Sequence, residues 1–444
     1  MNLIFGTDGI RGPVNTFITP EACLKIGHAT GLVMKELGWN TVVIGKDTRN
    51  SGYMLEAALQ AGFIASGVNV RLLGPLPTPG VAYLTKTLRN NFGLVISASH
   101  NEFYDNGIKI FNEDGEKISH DIEKRIEKHL SNVMTPIETS LIGKAYRFDE
   151  SGPRYIEFCK STVPPEINFS SLRIVLDCAN GACYKVTPEV FEELGAEVIC
   201  IGAEPDGYNI NQDCGSMHPE VIKKAVIDHS ADFGVSLDGD GDRVILIDEK
   251  GNLLDGDDLL YILAFANPNR TGAWSGVVGT LMSNPGLEDG IKKLGYKFER
   301  ADVGDKHVSS MLAKKGWLLG GETSGHIICK DLVSTGDGTI AALKVISSLL
   351  ILEKKASEVL ANFSKIPSDH VAVRVDNTSI IKSIINDKDF LSLVKEIESD
   401  MTVARVIVRP SGTEPVIRIH VEAIEKKVAK KYVKDIADFI NNKL

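Results

Sequence analysis

Three times along this 444-residue chain, an apolar run of strand length ends abruptly in a short loop crowded with chemistry. The runs are Gly93-Leu94-Val95-Ile96 before Ser97-Ala98-Ser99-His100-Asn101, Phe233-Gly234-Val235-Ser236-Leu237 before Asp238-Gly239-Asp240-Gly241-Asp242-Arg243, and Trp317-Leu318-Leu319 before Gly320-Gly321-Glu322-Thr323-Ser324-Gly325-His326. Each is the third strand-like run of its own group. The earlier members are 41–44 and 70–73, then 172–177 and 196–202, then 277–280 and 296–300, with helical patterns between them. Strands that alternate with helical patterns indicate parallel sheets covered by helices. In open α/β sheets ligands bind beyond the carboxyl ends of the strands. The recurrence therefore predicts three similar α/β domains with mixed, mostly parallel sheets, each lending one loop to a shared cleft.

After Ile366-Pro367-Ser368 the pattern changes. Strand patterns at 370–375 and 404–408 flank a helical stretch, and an amphipathic helix from Glu425 closes the chain, which predicts a small C-terminal α+β domain. The expected divisions are 1–150 with the Ser99 loop, 151–255 with the acidic loop, 256–365 with the Glu322 loop, and 366–444.

A formal charge of −10 and a pI near 5.6 exclude a general nucleic-acid or anionic-membrane surface, because such partners favour basic patches. An anionic ligand would need a local cationic pocket. Seven scattered cysteines without a C-x-x-C pair read as free thiols of a reducing compartment. No apolar run approaches the roughly 18 residues of a membrane span, and the opening Met1-Asn2-Leu3-Ile4-Phe5 lacks the basic start and apolar stretch of a signal peptide. The expected location is cytoplasmic.

The acidic loop alternates Asp238, Asp240 and Asp242 with glycine. Hard cations such as Mg2+ or Ca2+ take oxygen ligands, and such a carboxylate triple repels itself without one. An EF-hand is the nearest alternative, since Glu249 is twelfth from Asp238, but Arg243 stands where that loop needs glycine and Val244-Ile245-Leu246-Ile247 continues as a strand. A solvated acidic turn is the other. Ser99 offers a hydroxyl that is weak at neutral pH unless a base or metal assists it, and His100 and the acidic loop are the candidates. No G-x-S-x-G elbow surrounds it, which argues against a hydrolase. Taken alone, Ser99 and His100 also suit a helix cap and a packed imidazole.

Lys109, beyond the Asp105-Asn106-Gly107 turn signal, either returns toward the Ser99 loop or is an exposed strand lysine. Arg11 sits among Gly6, Gly9 and Gly12 and can present its guanidinium to an anion, although an ordinary turn with a solvated arginine fits this segment better by itself. Glu322, Ser324 and His326 alternate along a glycine-flanked loop and suit sugar hydroxyls, or make a plain polar turn. Arg409-Pro410-Ser411-Gly412-Thr413, with Arg418 beyond, composes either a phosphate nest without a P-loop lysine or a solvated turn.

Together and in this order, Phe5-Gly6-Thr7-Asp8-Gly9-Ile10-Arg11-Gly12, Ser97-Ala98-Ser99-His100-Asn101, Asp238-Gly239-Asp240-Gly241-Asp242-Arg243, Gly321-Glu322-Thr323-Ser324-Gly325-His326 and Arg409-Pro410-Ser411-Gly412-Thr413-Glu414-Pro415 resemble the α-D-phosphohexomutase superfamily. The resemblance spans almost the whole chain and lies nearest the branch that acts on glucosamine phosphates. It implies four domains around a central cleft and a Mg2+-dependent transfer of phosphate between the 6- and 1-hydroxyls of a phosphorylated hexose or hexosamine, with a bisphosphorylated sugar as intermediate and activator. Ser99 matches the phosphoserine, and Asp238, Asp240 and Asp242 match the metal ligands, with the serine phosphate completing the set. Glu322 and Ser324 match readers of sugar hydroxyls. Arg409, Ser411, Gly412, Thr413 and Arg418 match the clamp on the distal phosphate. Arg11, His100, Lys109 and Arg243 match residues near the transferring phosphate, with Lys109 and Arg11 as candidates for proton transfer or charge neutralisation.

Glu102, Thr323, and the Lys306-His307 pair depart from the proline, glutamine, and arginine-tyrosine usual there. A phosphomannomutase or phosphoglucomutase is the alternative within the superfamily, and a non-catalytic sugar-phosphate binding protein the alternative outside it. A monomer or homodimer is expected, with no nucleic-acid or membrane partner.

Overall fold

The computed structural model describes residues 4–6, 8–89, 92–375, 378–410 and 416–444. The chain forms two compact units, Met1–Ser283 with Ile291–Ala361, and Asn284–Gly290 with Asn362–Leu444.

Among the described residues, the larger unit holds three sheets. The first contains β1 (Ile10–Pro13), β2 (Thr41–Lys46), β3 (Asn69–Pro75), β4 (Phe92–Ile96), β5 (Asp105–Phe111) and β6 (Ala145–Arg147), in the order β1-β5-β4-β2-β3-β6. The second contains β7 (Arg173–Asp177), β8 (Glu197–Ile201), β9 (Phe233–Leu237), β10 (Val244–Ile247) and β11 (Leu253–Leu254), in the order β11-β10-β9-β7-β8. The third contains β12 (Gly276–Thr280), β13 (Lys297–Ala301), β14 (Leu319–Gly321) and β15 (Ile327–Cys329), in the order β13-β12-β14-β15.

One motif underlies all three. The first strand of each group lies between the second and third, parallel to both, and the third pairs with an antiparallel fourth. The parallel strands β4, β9 and β12 are largely apolar and buried at every position, as strands shielded on both faces are. Each loaded loop is therefore the link from a buried parallel strand to its antiparallel neighbour. That return strand brings Lys109 of β5 opposite Val95 of β4.

The segment expected as a glycine-rich loop is partly a strand. Gly6 and Gly9 close a tight turn, and β1 then pairs with β5, placing Arg11 opposite Gly107. Gly9 has a φ of 85° and a Cβ there would lie 2.2 Å from the Ile108 carbonyl oxygen, so only glycine lets β1 approach this edge.

The helix Gly338–Leu352 begins at Asp337, which accepts the Ile340 N–H at 2.9 Å and the Tyr155 hydroxyl at 2.8 Å. Burial, opposed by these hydrogen bonds, pushes the Asp337 pKa up to about 6. The folded chain thus holds this proton more tightly than the unfolded chain, and stability falls as pH rises from the ordinary carboxyl range through about 6. Asp337→Asn keeps an acceptor and loses the charge. Its stability relative to the parent is expected to rise between pH 4 and pH 7 by up to about 3 kcal/mol, read from denaturant melts. A difference independent of pH would show that Asp337 ionises without cost.

The smaller unit is a three-stranded antiparallel sheet of β16 (Ser368–Arg374), β17 (Val403–Pro410) and β18 (Val416–Ala423), with β18 central. Val373, Ile417, Ile419 and Val421 alternate inward onto the helices Lys388–Ser399 and Lys426–Asn441, while Arg418 faces solvent. Register sets Arg409 directly opposite Arg418. Among the described residues no helix is long and apolar enough to cross a membrane.

Candidate active site

Ser99 lies in the link from β4 to β5 with a φ of 51°, a left-handed conformation uncommon for residues other than glycine. The strain is held by its surroundings. Its N–H donates to Ser97 Oγ at 3.0 Å, and its carbonyl accepts from Asn211 Nδ2 at 2.9 Å and from the Arg49 guanidinium at 3.3 Å. The same two side chains bond the Asn101 carbonyl, so the loop is gripped on both sides of His100. Arg49 is fully buried and paired with Asp47. No helix follows Ser99, so the helix-cap alternative falls away.

The Ser99 hydroxyl donates to Asp238 Oδ2 at 2.6 Å. Asp238, Asp240 and Asp242 are buried, and each offers an oxygen within 4.8 Å of the others. Asp240 Oδ1 and Asp242 Oδ1 are buried with no hydrogen-bond partner among the described residues. Burial first, and then the charges of Asp242 and Asp240, push the Asp238 pKa well above the usual carboxyl range. Orphaned oxygens on mutually repelling carboxylates fit a hard divalent cation. The loop is seated by the second sheet's first link, where Ala182 N–H donates to the Gly239 carbonyl at 2.8 Å, and by Thr78, whose hydroxyl donates to Asp240.

Cations close around this pair of loops. Lys109 is buried, with Nζ 2.8 Å from Asp240, 3.2 Å from Asp242 and 3.3 Å from Asp8. Burial opposes its charge, but the three carboxylates prevail and hold its pKa well above the ordinary lysine value. Arg243 donates its backbone N–H to Asp238 at 3.1 Å, and its guanidinium lies 3.2 Å from His100 Nδ1. Burial, followed by repulsion from Arg243 and Arg11, lowers the His100 pKa to about 3 and leaves the ring neutral. Arg11 reaches Asp8 at 3.8 Å.

From the third sheet, Glu322 is buried and accepts the Gly304 N–H at 2.9 Å. Ser324 is exposed. His326, expected among the sugar-facing residues, is buried instead: its Nε2 accepts from Gly336 N–H at 3.1 Å, which leaves the proton on Nδ1, 3.7 Å from Asp242. The Thr323 hydroxyl turns inward to Asp257 at 3.1 Å. Lys306 bonds Glu123, and Glu102 is half-buried. In the smaller unit, Arg409 and Arg418 occupy the ends of β17 and β18, whereas Ser411, Gly412 and Thr413 lie outside the described residues.

The larger unit thus gathers Arg11, Ser99, His100, Lys109, the three aspartates and Arg243. It adds Asp8, Asp47, Arg49, Thr78 and Asn211, which sequence reasoning did not single out. Asp47 and Arg49 carried one signal: charged residues directly after the buried β2. Asn211 carried none, lying in irregular chain remote from any strand end. Chemically, this is a hydroxyl beside a metal-competent carboxylate triple inside a ring of fixed cations, the set that phosphoryl transfer requires.

Family models described as phosphoglucomutase/phosphomannomutase alpha/beta/alpha domains I, II and III and C-terminal domain match residues 2–136, 153–251, 255–366 and 371–439. A phosphoglucosamine mutase of Legionella pneumophila (strain Lens) is 50% identical over 439 residues, covering 98% of this chain and 96% of its own length. The crystal structure of a phosphoglucomutase/phosphomannomutase family protein from Burkholderia thailandensis superposes with a TM-score of 0.81 at 21% identity, over 100% of this chain and 98% of that one. N-acetylphosphoglucosamine mutase of Aspergillus fumigatus, in complex with GlcNAc-6P and magnesium, gives a TM-score of 0.71 at 18% identity, over 100% and 96% of the two chains.

Proposed function

The chain belongs to the phosphoglucomutase/phosphomannomutase family and is a phosphohexomutase, an isomerase; on that premise we propose that it acts as a phosphoglucosamine mutase, interconverting glucosamine 6-phosphate and glucosamine 1-phosphate. The observation that carries the mechanism is the Ser99 hydroxyl donating to Asp238 at 2.6 Å inside a carboxylate triple with orphaned oxygens.

Asp238, Asp240, Asp242 and a phosphate on Ser99 would hold Mg2+, which supplies positive charge to the transferring phosphoryl group. Ser99 carries that group and gives it to the free hydroxyl of the sugar monophosphate: the bond from phosphorus to Ser99 Oγ breaks as the bond to the sugar oxygen forms, and the sugar hydroxyl's proton ends on Ser99 Oγ. The resulting bisphosphate turns round in the cleft, and its other phosphate returns to Ser99. Lys109 is held firmly protonated by its carboxylate neighbours, so we assign it charge neutralisation, with Arg11 and Arg243 beside it. His100 stays neutral and contributes a hydrogen bond rather than a charge. Glu322 and Ser324 read sugar hydroxyls. Arg409 and Arg418, with Ser411, Gly412 and Thr413, clamp the distal phosphate. We place the domain limits at 1–150, 151–255, 256–365 and 366–444, and the enzyme in the cytoplasm, supplying cell-envelope precursors.

The test compares turnover of glucosamine, glucose and mannose 6-phosphates with Mg2+ and a catalytic amount of the matching bisphosphate. The glucosamine substrate is expected to be preferred in kcat/KM by at least about tenfold. Equal or greater turnover of glucose or mannose phosphate would make the chain a phosphoglucomutase or phosphomannomutase instead.

A further inference from the structure

The helix Asp305–Lys315 of the third sheet's domain starts with two charged residues that both reach back to the first. Asp305 lies 2.7 Å from Lys117 Nζ, and Lys117 is also 2.7 Å from Asp8. Lys306 Nζ lies 2.8 Å from Glu123 Oε1, on the helix His120–Leu130. Neighbouring residues therefore make two ion pairs of opposite sense, acid to base and then base to acid. Such crossing fixes a register, because a shift of one residue would set like charges together. The inner pair is largely withdrawn from water, with Lys117 13% and Asp305 16% exposed, so breaking it leaves a charge poorly solvated.

The residue immediately before the pair is Gly304, whose N–H donates to Glu322. Its φ of 126° is open to glycine alone, so the bond depends on where the helix start is pinned. We propose that Lys117 and Lys306 are positioning residues: the crossed clasp Asp305–Lys117 and Lys306–Glu123 fixes Gly304, and through it the carboxylate that Glu322 presents to the sugar, a role that rests on Glu322 being a sugar reader. The Lys306–Glu123 half acts on substrate recognition rather than on phosphoryl transfer, whereas Lys117 also holds Asp8, the neighbour of Lys109.

The experiment measures kcat, KM and melting temperature on the full-length protein, using the sugar monophosphate it turns over fastest. Lys306→Glu and Glu123→Lys are each expected to raise KM about fivefold with kcat within about twofold, and the double exchange to return KM to within about twofold of the parent. Lys117→Arg should retain the parent KM where Lys117→Met does not. Glu322→Gln should raise KM by about tenfold or more. If Glu322→Gln raises KM while the single exchanges leave it unchanged, or lower only the melting temperature, the clasp is structural and the proposal falls while the sugar reader stands. Failure of the double exchange to restore KM also overturns it. If Glu322→Gln leaves KM unchanged, the assignment of Glu322 falls, and the clasp's role falls with it.

Discussion

Replacing Ser99 by alanine is expected to lower kcat by about 10^4-fold or more while the folded protein still binds sugar phosphate. Intact mass should show one phosphoryl group on the parent after incubation with a hexose bisphosphate and none on the variant. The fold should survive, because the loop is gripped through backbone carbonyls by Asn211 and Arg49 rather than through the hydroxyl. Alanine at a φ of 51° is no more strained than serine, so a lost rate cannot be charged to the main chain. Full turnover in the variant would remove Ser99 from the mechanism. Binding without turnover in both forms would identify a sugar-phosphate binding protein.

Asp238→Asn separates the metal's chemical role from its structural one. Turnover is expected to fall by about 10^3-fold, since one of three charged ligands is lost at the point where phosphoryl charge must be met. Stability should move the other way. With its pKa raised by burial and by Asp242 and Asp240, an ionised Asp238 costs folding free energy at neutral pH unless a cation is bound. In excess chelator the variant is therefore expected to melt at or above the parent, and its gain on adding Mg2+ should be smaller than the parent's. Differential scanning calorimetry with and without Mg2+ decides it. A chelated variant melting well below the chelated parent would show that the triple is held together by something other than a cation.

Much of this was legible in the chain. The threefold run of strand, strand, and strand-with-loop announced three similar, mostly parallel sheets but not the order of strands within them, because strands buried on both faces are written as largely apolar runs while their pairing is not. The acidic loop declared its chemistry through composition alone. What stayed hidden was pairing across distance. Lys117 meets Asp305 across 188 residues and Asp8 across 109, and Asn211 reaches Ser99 across 112, separations over which no local pattern carries information. The strand β1 resembles a turn in sequence, since its glycines, needed for close approach to β5, are also what turns are made of. The alternating loop marks His326 as a candidate sugar contact, but does not announce that its ring accepts from Gly336 and lies 3.7 Å from Asp242.

If Ser99 carries the phosphate as proposed, its left-handed backbone limits which residue could take that role. Threonine bears an equally competent hydroxyl, yet a β-branched side chain is a steric outlier at positive φ. The choice of serine over threonine at this position is therefore dictated by the main chain, through the grip of Arg49 and Asn211, and not by the reactivity of the oxygen.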